Sequence, residues 1–236
     1  MYGEQLTQVY EEIYQSRGKD WGAEARLAID HIKARAPKAD SLLDVACGTG
    51  AHLSEFSAAF RRVEGVDIEE NMLRAAKARV PDVLLTQADM RDFDLGRRFD
   101  AVCCMFCSLA YLPTVEDMRA AVRTMADHLV PGGVIVIEPW WFPEKFIDGY
   151  VAGDLARGDD RTIARISHSV RKGDATHMEV RFLVGDSDGI TEFTEIDVLT
   201  LFTEDEYLSA LADAGCPAEY LPGAPTGRGL FIGVRN

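Results

Sequence analysis

Hydrophobic and polar positions alternate in blocks along the middle of the chain. Short runs rich in Val, Leu and Ile are separated by segments whose apolar residues recur at helical spacing. The pattern predicts helices at 52–60, 71–80 and 115–129, and strands at 41–46, 62–68, 83–89, 99–106 and 134–139. Because strands that alternate with helices form mostly parallel sheets with helices on both faces, we predict an α/β fold of this kind.

The pattern changes on either side of this central block. Two helices are predicted before it, at 4–15 and 21–35. After Pro143, polar and apolar residues alternate singly, and the turn sequences KGDA and DSDG divide this region. We predict three antiparallel strands here, at 162–171, 176–185 and 190–202. A helix and two strands complete the chain, at 203–215, 217–221 and 229–234.

No repeat, linker or low-complexity segment interrupts the sequence, so we predict one domain, 1–236. A helical segment covers 1–36, and the central α/β block covers 41–139. The antiparallel lobe, inserted after the fifth strand, covers about 160–202, and the last helix and strand pair cover 203–236.

The chain is acidic, with a formal net charge of −14 over 236 residues. Nucleic acids and anionic membrane surfaces are bound through clustered Lys and Arg side chains, so we expect neither partner. No apolar run approaches the roughly 18 residues that a membrane span requires. The first residues, MYGEQLTQVYEE, lack the basic and apolar regions of a signal peptide. We therefore expect a cytoplasmic protein.

The cysteines are odd in number and lie mostly inside apolar runs, at Cys47, Cys103, Cys104, Cys107 and Cys216. Buried, reduced thiols in a reducing compartment account for this distribution. The segment CCMFC looks like half of a metal site, but adjacent residues of a strand face opposite sides and no second ligand cluster follows. We predict core cysteines and no bound metal.

A glycine-rich loop joins the first strand of the block to the next helix. In LLDVACGTG this turn contains Ala46, Gly48 and Gly50, and glycines let a ligand approach the backbone at a helix N-terminus. The next two strands end in Asp67 and Asp89, at the edge where open α/β sheets bind ligands, and Asp67 has a spacing that suits ribose hydroxyls. NAD, a flavin nucleotide and S-adenosylmethionine all fit such a loop, and a turn without a ligand is the plain alternative.

The residues after the loop favour one of these ligands. A dinucleotide fingerprint has a third glycine that packs the helix on its strand, whereas this loop continues as Ala51, His52 and Leu53. S-adenosylmethionine has no pyrophosphate, so it depends less on the helix start and more on acids that bind the ribose and the adenine amine. The loop and its two acids therefore fit the methyl donor better than nicotinamide.

These motifs resemble those of the class I S-adenosylmethionine-dependent methyltransferases. A closer resemblance runs almost from end to end, through MYGEQLTQVYEEIY, RGKDW, LLDVACGTG, ADMRDF, CMF, EPWWFPE, DGYVAGD, RISHSVR and PTGRGLF. Together these segments resemble the N,N-dimethyltransferases of TDP-amino-deoxysugars, of the desosamine and mycaminose type. The resemblance implies a Rossmann-like, mostly parallel, seven-stranded sheet. It also implies S-adenosylmethionine as donor, S-adenosylhomocysteine as product, no metal, and dimethylation of the amine of a TDP-linked amino-dideoxyhexose in antibiotic biosynthesis.

The resemblance further implies which residues bind each substrate, and it makes the first helical segment a lid. For the donor it implies Tyr10, Lys19, Ala46, Gly48, Gly50, Asp67, Asp89, Met90 and Met105. For the sugar nucleotide it implies Tyr2, Trp140, Trp141, Phe142, Pro143, Arg165, Ser167, Ser169 and Arg228. On spacing alone, Tyr10 and Tyr14 share a helical face and are typical of core residues, and Lys19 is typical of a surface charge.

Physical arguments support part of this acceptor site. The aromatic run 140–143 leaves the carboxyl end of a central strand, where indoles can stack on a base or a sugar, although they could instead pack the lobe onto the sheet. Arg165 and Arg228 carry planar guanidinium groups, which suit a diphosphate. Alternation along the strand puts His168 on one face and three polar residues on the other: Arg165, Ser167 and Ser169.

One position departs from the family pattern. Where the family has approximately S-S-I-G-H after CMF, this sequence reads CSLAY and ends at Tyr111. An unperturbed tyrosine has a pKa of about 10, so we expect Tyr111 to orient the amine or to act as a weak base. Catalysis is then mainly positioning, which is worth up to roughly 7–11 kcal/mol. The departure leaves the ring position of the amine open, at carbon 3 or carbon 4.

Three other functions stay open on the sequence. One is a methyltransferase of the same fold that acts on another small amine or hydroxyl acceptor. Another is a silent protein that binds an adenosyl ligand without turnover, and the third is a nicotinamide oxidoreductase, which would bind NAD rather than S-adenosylhomocysteine. We also expect a homodimer.

Overall fold

The structure is a computed structural model and describes residues 4–223 and 226–236. Its helices are α1 (Glu4–Ser16), α2 (Trp21–Arg35), α3 (Ala51–Ala59), α4 (Glu70–Arg79), α5 (Val115–Asp127) and α6 (Glu204–Asp213), with a short 3-10 helix at Ser108–Tyr111. Its strands are β1 (Ser41–Val45), β2 (Arg62–Asp67), β3 (Leu84–Gln87), β4 (Phe99–Cys104), β5 (Leu129–Ile137), β6 (Tyr150–Arg157), β7 (Thr162–Lys172), β8 (Ala175–Asp186), β9 (Gly189–Thr200), β10 (Ala218–Leu221) and β11 (Leu230–Val234).

Seven strands form one sheet, in the order β10-β11-β5-β4-β1-β2-β3. Strands β1 to β5 run parallel, and β11 pairs antiparallel with β5 and with β10. The order reverses between β1 and β4, so the carboxyl ends of these strands open onto a crevice at one edge of the sheet. This architecture confirms the predicted class I methyltransferase fold.

Helices cover both faces of this sheet, because alternate strand residues are apolar on each side. Val102 packs in a core with Met118 of α5 and Leu211 of α6. Its neighbour Cys103 faces the other way, into a second core with Ile32 of α2 and the side chains of α3. The sheet is therefore buried on both faces, as its nearly continuous apolar strands predicted.

A second, four-stranded antiparallel sheet has the order β6-β7-β8-β9. The sequence predicted three of these strands and a lobe that starts near residue 160, but β6 begins at Tyr150. Its segment YVAGDLAR turns Ala152, Asp154 and Ala156 toward the protein, and such small and charged residues do not read as a strand pattern. The inner face of the sheet packs on α1 in a third core, which contains Ile13.

Strand β5 also differs from its prediction. The segment PGG reads as a turn before a strand at 134–139, yet β5 starts at Leu129 and runs through it. Gly132 has a φ of +77°, and the register against β4 shifts between Phe99 and Ala101. The glycine therefore accommodates a bulge inside the strand rather than a turn before it.

All five cysteines are buried and free, which confirms that they are core residues. Burial raises the pKa of Cys47 and of Cys103 well above the usual thiol value. Within residues 4–223 and 226–236, no helix has the length and apolar character needed to cross a membrane.

Candidate active site

The glycine-rich loop after β1 adopts the backbone that its sequence predicts. Gly48 has a φ of +54° and Gly50 a φ of +75°, values that favour glycine. A Cβ atom on Gly50 would lie 3.1 Å from the Cβ of Ala76, so this glycine lets α4 pack closely. A Cβ atom on Gly48 would meet open space, so this side of the loop is accessible to a ligand.

Asp67, at the end of β2, holds this loop in place. Its Oδ2 accepts a hydrogen bond of 2.8 Å from the backbone N–H of Gly48, and its Oδ1 accepts one of 2.9 Å from Glu69. Burial raises the pKa of Asp67, and these backbone hydrogen bonds oppose that shift. Each carboxylate oxygen keeps a second lone pair, so the side chain retains the capacity to accept ribose hydroxyls.

A cavity of about 210 Å³ lies beside Asp67, at the carboxyl ends of β2 and β3. We call it the donor cavity, and its lining includes Ala46, Asp67, Ile68, Asp89, Met90 and Tyr111. The side chain of Asp89 is ion-paired with Arg91 at 2.6 Å, and this hydrogen bonding lowers the pKa of Asp89. Ile68 is 55% exposed, so the cavity offers a purine both an apolar surface and an acceptor.

Other residues predicted for the donor lie away from this cavity. Tyr10 is buried and stacks on Trp21 at a ring-centroid distance of 6.0 Å. Met105 is also buried, in the core below the sheet edge. Lys19 binds the carboxylate of Glu24, and its Nζ lies 3.6 Å from the ring centroid of Phe106. Burial lowers the pKa of Lys19.

A second cavity, of about 950 Å³, lies between the two sheets. We call it the acceptor cavity. It is lined by the end of α1, the turn before α2, the 3-10 helix, the loop after β5, the inner face of the four-stranded sheet and the loop before β11. Its cationic lining residues are Arg17, Lys19, Lys145, Arg165 and Arg228, and its carboxylates are Asp20, Glu24 and Asp197. Positive charge therefore exceeds negative charge here, although the whole protein is acidic.

The aromatic run after β5 divides between this cavity and the core. Trp140 and Trp141 both line the cavity, with their ring centroids 6.5 Å apart. Phe142 is buried and packs on Tyr220 and Phe231, and Pro143 does not line either cavity within the described residues. The two indoles therefore remain candidates for stacking on a substrate, whereas Phe142 packs on β10 and β11 of the main sheet.

Arg165, Ser167 and Ser169 all face the acceptor cavity from β7, while His168 is exposed on the opposite face. This agrees with the alternation that the sequence predicted. Arg165 donates to Ser167 Oγ at 3.1 Å and to Asp154 at 3.3 Å. Arg17 lies 3.3 Å from the same carboxylate, so two guanidinium groups converge on one wall of the cavity.

Arg228 lies in a different setting from the one that its sequence suggests. Its guanidinium binds the fully buried Glu138 at 2.7 Å, within 6.0 Å of the ring centroids of Phe106, Trp140 and Trp141. Glu138 also accepts hydrogen bonds from the Phe106 N–H and the Thr226 hydroxyl. Arg228 Nε is buried and has no hydrogen-bond partner among the described residues.

Tyr111 lines both the donor and the acceptor cavity. It ends the 3-10 helix, and its hydroxyl donates a hydrogen bond of 3.1 Å to Asp197 on β9. The two cavities are therefore adjacent at this side chain. Tyr2 lies outside the described residues.

Known proteins are similar to this chain over nearly its whole length. A family model for the methyltransferase domain matches residues 42–133. The chain is 52% identical, over 100% of its length and 95% of the relative's, to the dTDP-4-amino-2,3,4,6-tetradeoxy-D-glucose N,N-dimethyltransferase of Saccharopolyspora spinosa. It is also 52% identical, over 99% of both chains, to the dTDP-3-amino-3,4,6-trideoxy-alpha-D-glucopyranose N,N-dimethyltransferase of Streptomyces venezuelae. The chain belongs to the dTDP-amino-sugar N,N-dimethyltransferase family.

A solved structure agrees with this assignment. CalS10, an amino pentose methyltransferase from Micromonospora echinaspora that was solved with S-adenosylmethionine bound, is 53% identical. The match has a TM-score of 0.92 and covers 100% of this chain and 98% of that one. Because the match covers the whole of this chain, it extends over both of its sheets.

The sequence did not identify Arg17, Ile68 or Asp197 as lining residues of this dimethyltransferase. Arg17 lies in the RGKDW motif, where only Lys19 was singled out. Ile68 directly follows Asp67, the predicted ribose acid. An exposed apolar residue at this position is the signal that could have identified it as a lining residue. Asp197 lies on a strand with apolar residues on both faces, so alternation alone does not tell which face is inside.

Proposed function

We propose that this protein transfers two methyl groups from S-adenosylmethionine to the amine of a TDP-linked amino-deoxyhexose. The observation that carries the proposal is the shared wall of the two cavities at Tyr111, in a chain that matches N,N-dimethyltransferases over its full length. A donor in the smaller cavity and a sugar nucleotide in the larger one would meet at that residue. Dimethylated amino sugars of this class are used in antibiotic biosynthesis.

The residues around the donor cavity fit S-adenosylmethionine. Asp67 would hold the ribose hydroxyls, Ile68 and Met90 would cover the adenine, and Asp89 would accept from its amine. The open space beside Gly48 leaves room for the rest of the ligand. When bound, the donor supplies an electrophilic methyl group on a sulfonium.

The acceptor cavity fits a sugar nucleotide in size and charge. Its volume of about 950 Å³ is at the upper end of the range for ligand pockets. Arg165 and Arg17 would bind the diphosphate through charge-assisted hydrogen bonds, with Ser167 and Ser169 beside them. Trp140 and Trp141 would stack on the base or the sugar and exclude water. The chain then acts chiefly by holding the amine in line with the methyl group.

A mass-spectrometric assay tests this function. The purified protein is incubated with S-adenosylmethionine and, separately, with TDP-6-deoxyhexoses that carry the amine at carbon 3 or at carbon 4. We expect successive gain of two methyl masses on one or both sugars, and the preferred sugar identifies the ring position. Relatives act at each of these carbons, so both sugars are needed.

Control measurements show whether a negative result comes from the donor site, the acceptor class or the number of methyl groups transferred. Binding of S-adenosylhomocysteine by calorimetry confirms that the donor site is intact in the same preparation. Donor binding without methyl gain on either sugar would overturn the acceptor class that we propose. Gain of a single methyl on both sugars would overturn the dimethylation.

The predicted homodimer remains a prediction, and the outer face of the four-stranded sheet supports it. Large apolar side chains are exposed there, on all four strands: Val151, Leu155, Ile166, Leu183, Ile190, Ile196 and Val198. Exposed apolar patches of this kind mark protein interfaces. We expect Ile196→Lys to convert a dimer into a monomer in light scattering, while Leu84→Lys, on an exposed position of the other sheet, leaves the mass unchanged.

The cytoplasmic location also remains a prediction. It rests on the five cysteines, all of which are free. Thiols of this kind are typical of a reducing compartment.

A further inference from the structure

Dimethylation of an amine requires that protons leave the reaction centre. Only the neutral amine has a lone pair, and each methyl transfer leaves an ammonium on the sugar. The second transfer therefore begins only after this ammonium has lost a proton. A site that adds two methyl groups in succession benefits from a group that takes up protons, and such a group contributes roughly 10²–10⁴-fold in rate.

Three carboxylates line the acceptor cavity among the residues that the structure describes. Glu24 is occupied, because it binds Lys19 and lies 3.1 Å from His52 Nε2. Asp20 is exposed and caps α2 by accepting a hydrogen bond from the backbone N–H of Ala23. The third carboxylate, Asp197, forms no ion pair with any described residue.

Asp197 is connected to the point where the two cavities meet. Its Oδ1 accepts a hydrogen bond of 3.1 Å from the Tyr111 hydroxyl, and Tyr111 lines both cavities. A phenol oxygen has two lone pairs, which can accept a hydrogen bond from an amine. Tyr111 and Asp197 therefore form a short path along which a proton can move away from the reaction centre.

Asp197 is the group in this part of the cavity that can take up a proton at neutral pH. Burial raises the pKa of Asp197, while the Tyr111 hydroxyl and the charge of Arg165 oppose this shift. Among the described residues, its other titratable neighbours are Tyr14 on α1 and Cys107 before the 3-10 helix, and burial raises the pKa of each to about 12. Both neighbours hold their protons at neutral pH, so neither competes with the carboxylate.

We propose that Asp197 is the proton acceptor of the reaction and that the Tyr111 hydroxyl relays the proton to it. This inference rests on the proposed function. The amine nitrogen attacks the methyl carbon, so that the N–C bond forms while the C–S bond breaks and its electron pair stays on sulfur. One N–H proton then passes to the phenol oxygen as the phenol proton passes to Asp197. The secondary amine regains its lone pair, and Asp197 releases the proton to water.

The isosteric variant Asp197→Asn tests the relay, with monomethyl and dimethyl products quantified separately by mass. We expect formation of the dimethyl product to slow by about 100-fold or more near pH 7, with accumulation of the monomethyl product. The rate should recover by about tenfold per pH unit as solvent base takes over, while KM for the sugar nucleotide changes by less than about threefold. Tyr111→Phe should show the same pattern, and the double variant should be no slower than either single variant, because both residues serve one path.

Glu192→Gln is the matched control, since it removes a carboxylate from the exposed outer face of the same strand. It should behave as the wild-type protein does. A rate for Asp197→Asn within about threefold of wild type near neutral pH would overturn the relay. A loss that is the same at every pH would also overturn it, because that pattern indicates a structural role.

A measurement without turnover keeps this inference separate from the proposed function. The Asp197 carboxyl is titrated by ¹³C NMR in the wild-type protein with S-adenosylhomocysteine, and Asp197→Asn assigns its signal. We expect a pKa above that of an ordinary aspartate, which rises further in Tyr111→Phe because a stabilising hydrogen bond is lost. An ordinary pKa that does not respond to Tyr111→Phe would overturn the relay, whether or not the wild-type protein methylates either sugar.

Discussion

The donor and acceptor cavities meet at one tyrosine but are built in different ways. The donor cavity is formed by three successive strand ends, with the loop after β1, Asp67 at the end of β2 and Asp89 after β3. The acceptor cavity draws on segments from Tyr14 to Arg228, which include the four-stranded sheet and several loops that flank the main sheet. The donor cavity is lined by residues between Ala46 and Pro113, and the acceptor cavity by residues spread over nearly the whole chain.

Because of this difference, the ligand specificity of the two sites depends on different kinds of residue. The donor site depends on backbone shape and on two acids at fixed places, so a short motif specifies it for any ligand of the same kind. The acceptor site depends on side chains whose neighbours are distant in sequence. It can therefore change its specificity by substitution of lining residues while the donor site and the fold stay the same.

Substitution of Glu138 should have the largest effect, because this residue links the main sheet to the acceptor cavity. Glu138 directly follows β5 and binds Arg228 and Thr226, which line that cavity. We expect Glu138→Ala to lower the free energy of unfolding by about 3–5 kcal/mol, since it leaves a buried guanidinium without its partner. Chemical denaturation measures this. Asp213→Ala, which removes the partner of Arg119 in an exposed pair, should cost about 1 kcal/mol or less.

Low pH should reduce the contribution of Glu138 to the free energy of unfolding. Burial pushes the pKa of Glu138 upward, but Arg228, Lys19 and Thr226 outweigh it, so that the folded pKa is lowered. A lowered folded pKa stabilises the protein above the unfolded value of about 4.3, and this contribution is lost as the pH falls through the folded pKa. The stability difference between wild type and Glu138→Gln should therefore shrink below about pH 4. A difference that grows in acid would contradict this account.

Asp67→Ala should affect the donor side alone. We expect the affinity for S-adenosylhomocysteine to fall by about 100-fold, because the carboxylate would accept both ribose hydroxyls and also holds the Gly48 N–H. Affinity for TDP should stay within about threefold of wild type. Isothermal titration calorimetry measures both ligands, and an equal loss of the two would show that the cavities are not independent.

Arg165→Met is the reciprocal change on the acceptor side. We expect TDP affinity to fall by about 10- to 100-fold through loss of charge-assisted bonds to the diphosphate, with donor affinity unchanged. Arg181→Met is a suitable control, because Arg181 lies on the neighbouring strand and pairs with Glu179 on the exposed face. Unchanged TDP affinity in Arg165→Met would remove this residue from the site.

Trp140→Phe should have the smallest effect. Its indole N–H donates a hydrogen bond of 3.3 Å to the buried hydroxyl of Thr176, so we expect a loss of about 1 kcal/mol in unfolding free energy. Trp141→Phe, which keeps an aromatic ring in the same cavity, is the matched comparison. Should Trp140→Phe weaken TDP binding by more than about tenfold, the indole would have a polar role in recognition that stacking does not explain.

Much of the fold follows from the sequence because its signals are local. The strands of the main sheet are short apolar runs, and the glycine loop needs a backbone that glycine favours. The two errors occur where local signals mislead. Strand β6 carries a glycine and an aspartate, and the PGG segment in β5 is a bulge that looks like a turn.

The candidate site was harder to predict from the sequence than the fold, because its contacts join residues that are distant in the chain. Alternation was sufficient for Arg165, Ser167 and Ser169, since their strand has one clear inner face. It failed for Asp197, whose strand is apolar on both faces. No local pattern could show that Arg228 binds Glu138, a partner 90 residues away in the chain.

The five buried cysteines give this protein an internal reporter of opening. Burial raises the pKa of every one of their thiols, and thiolates are the form that reacts with alkylating reagents. Cys216 lies under α6, while Cys103 and Cys104 lie on a central strand. Peptide-resolved alkylation over time would therefore follow local fraying and global unfolding separately, without any added label.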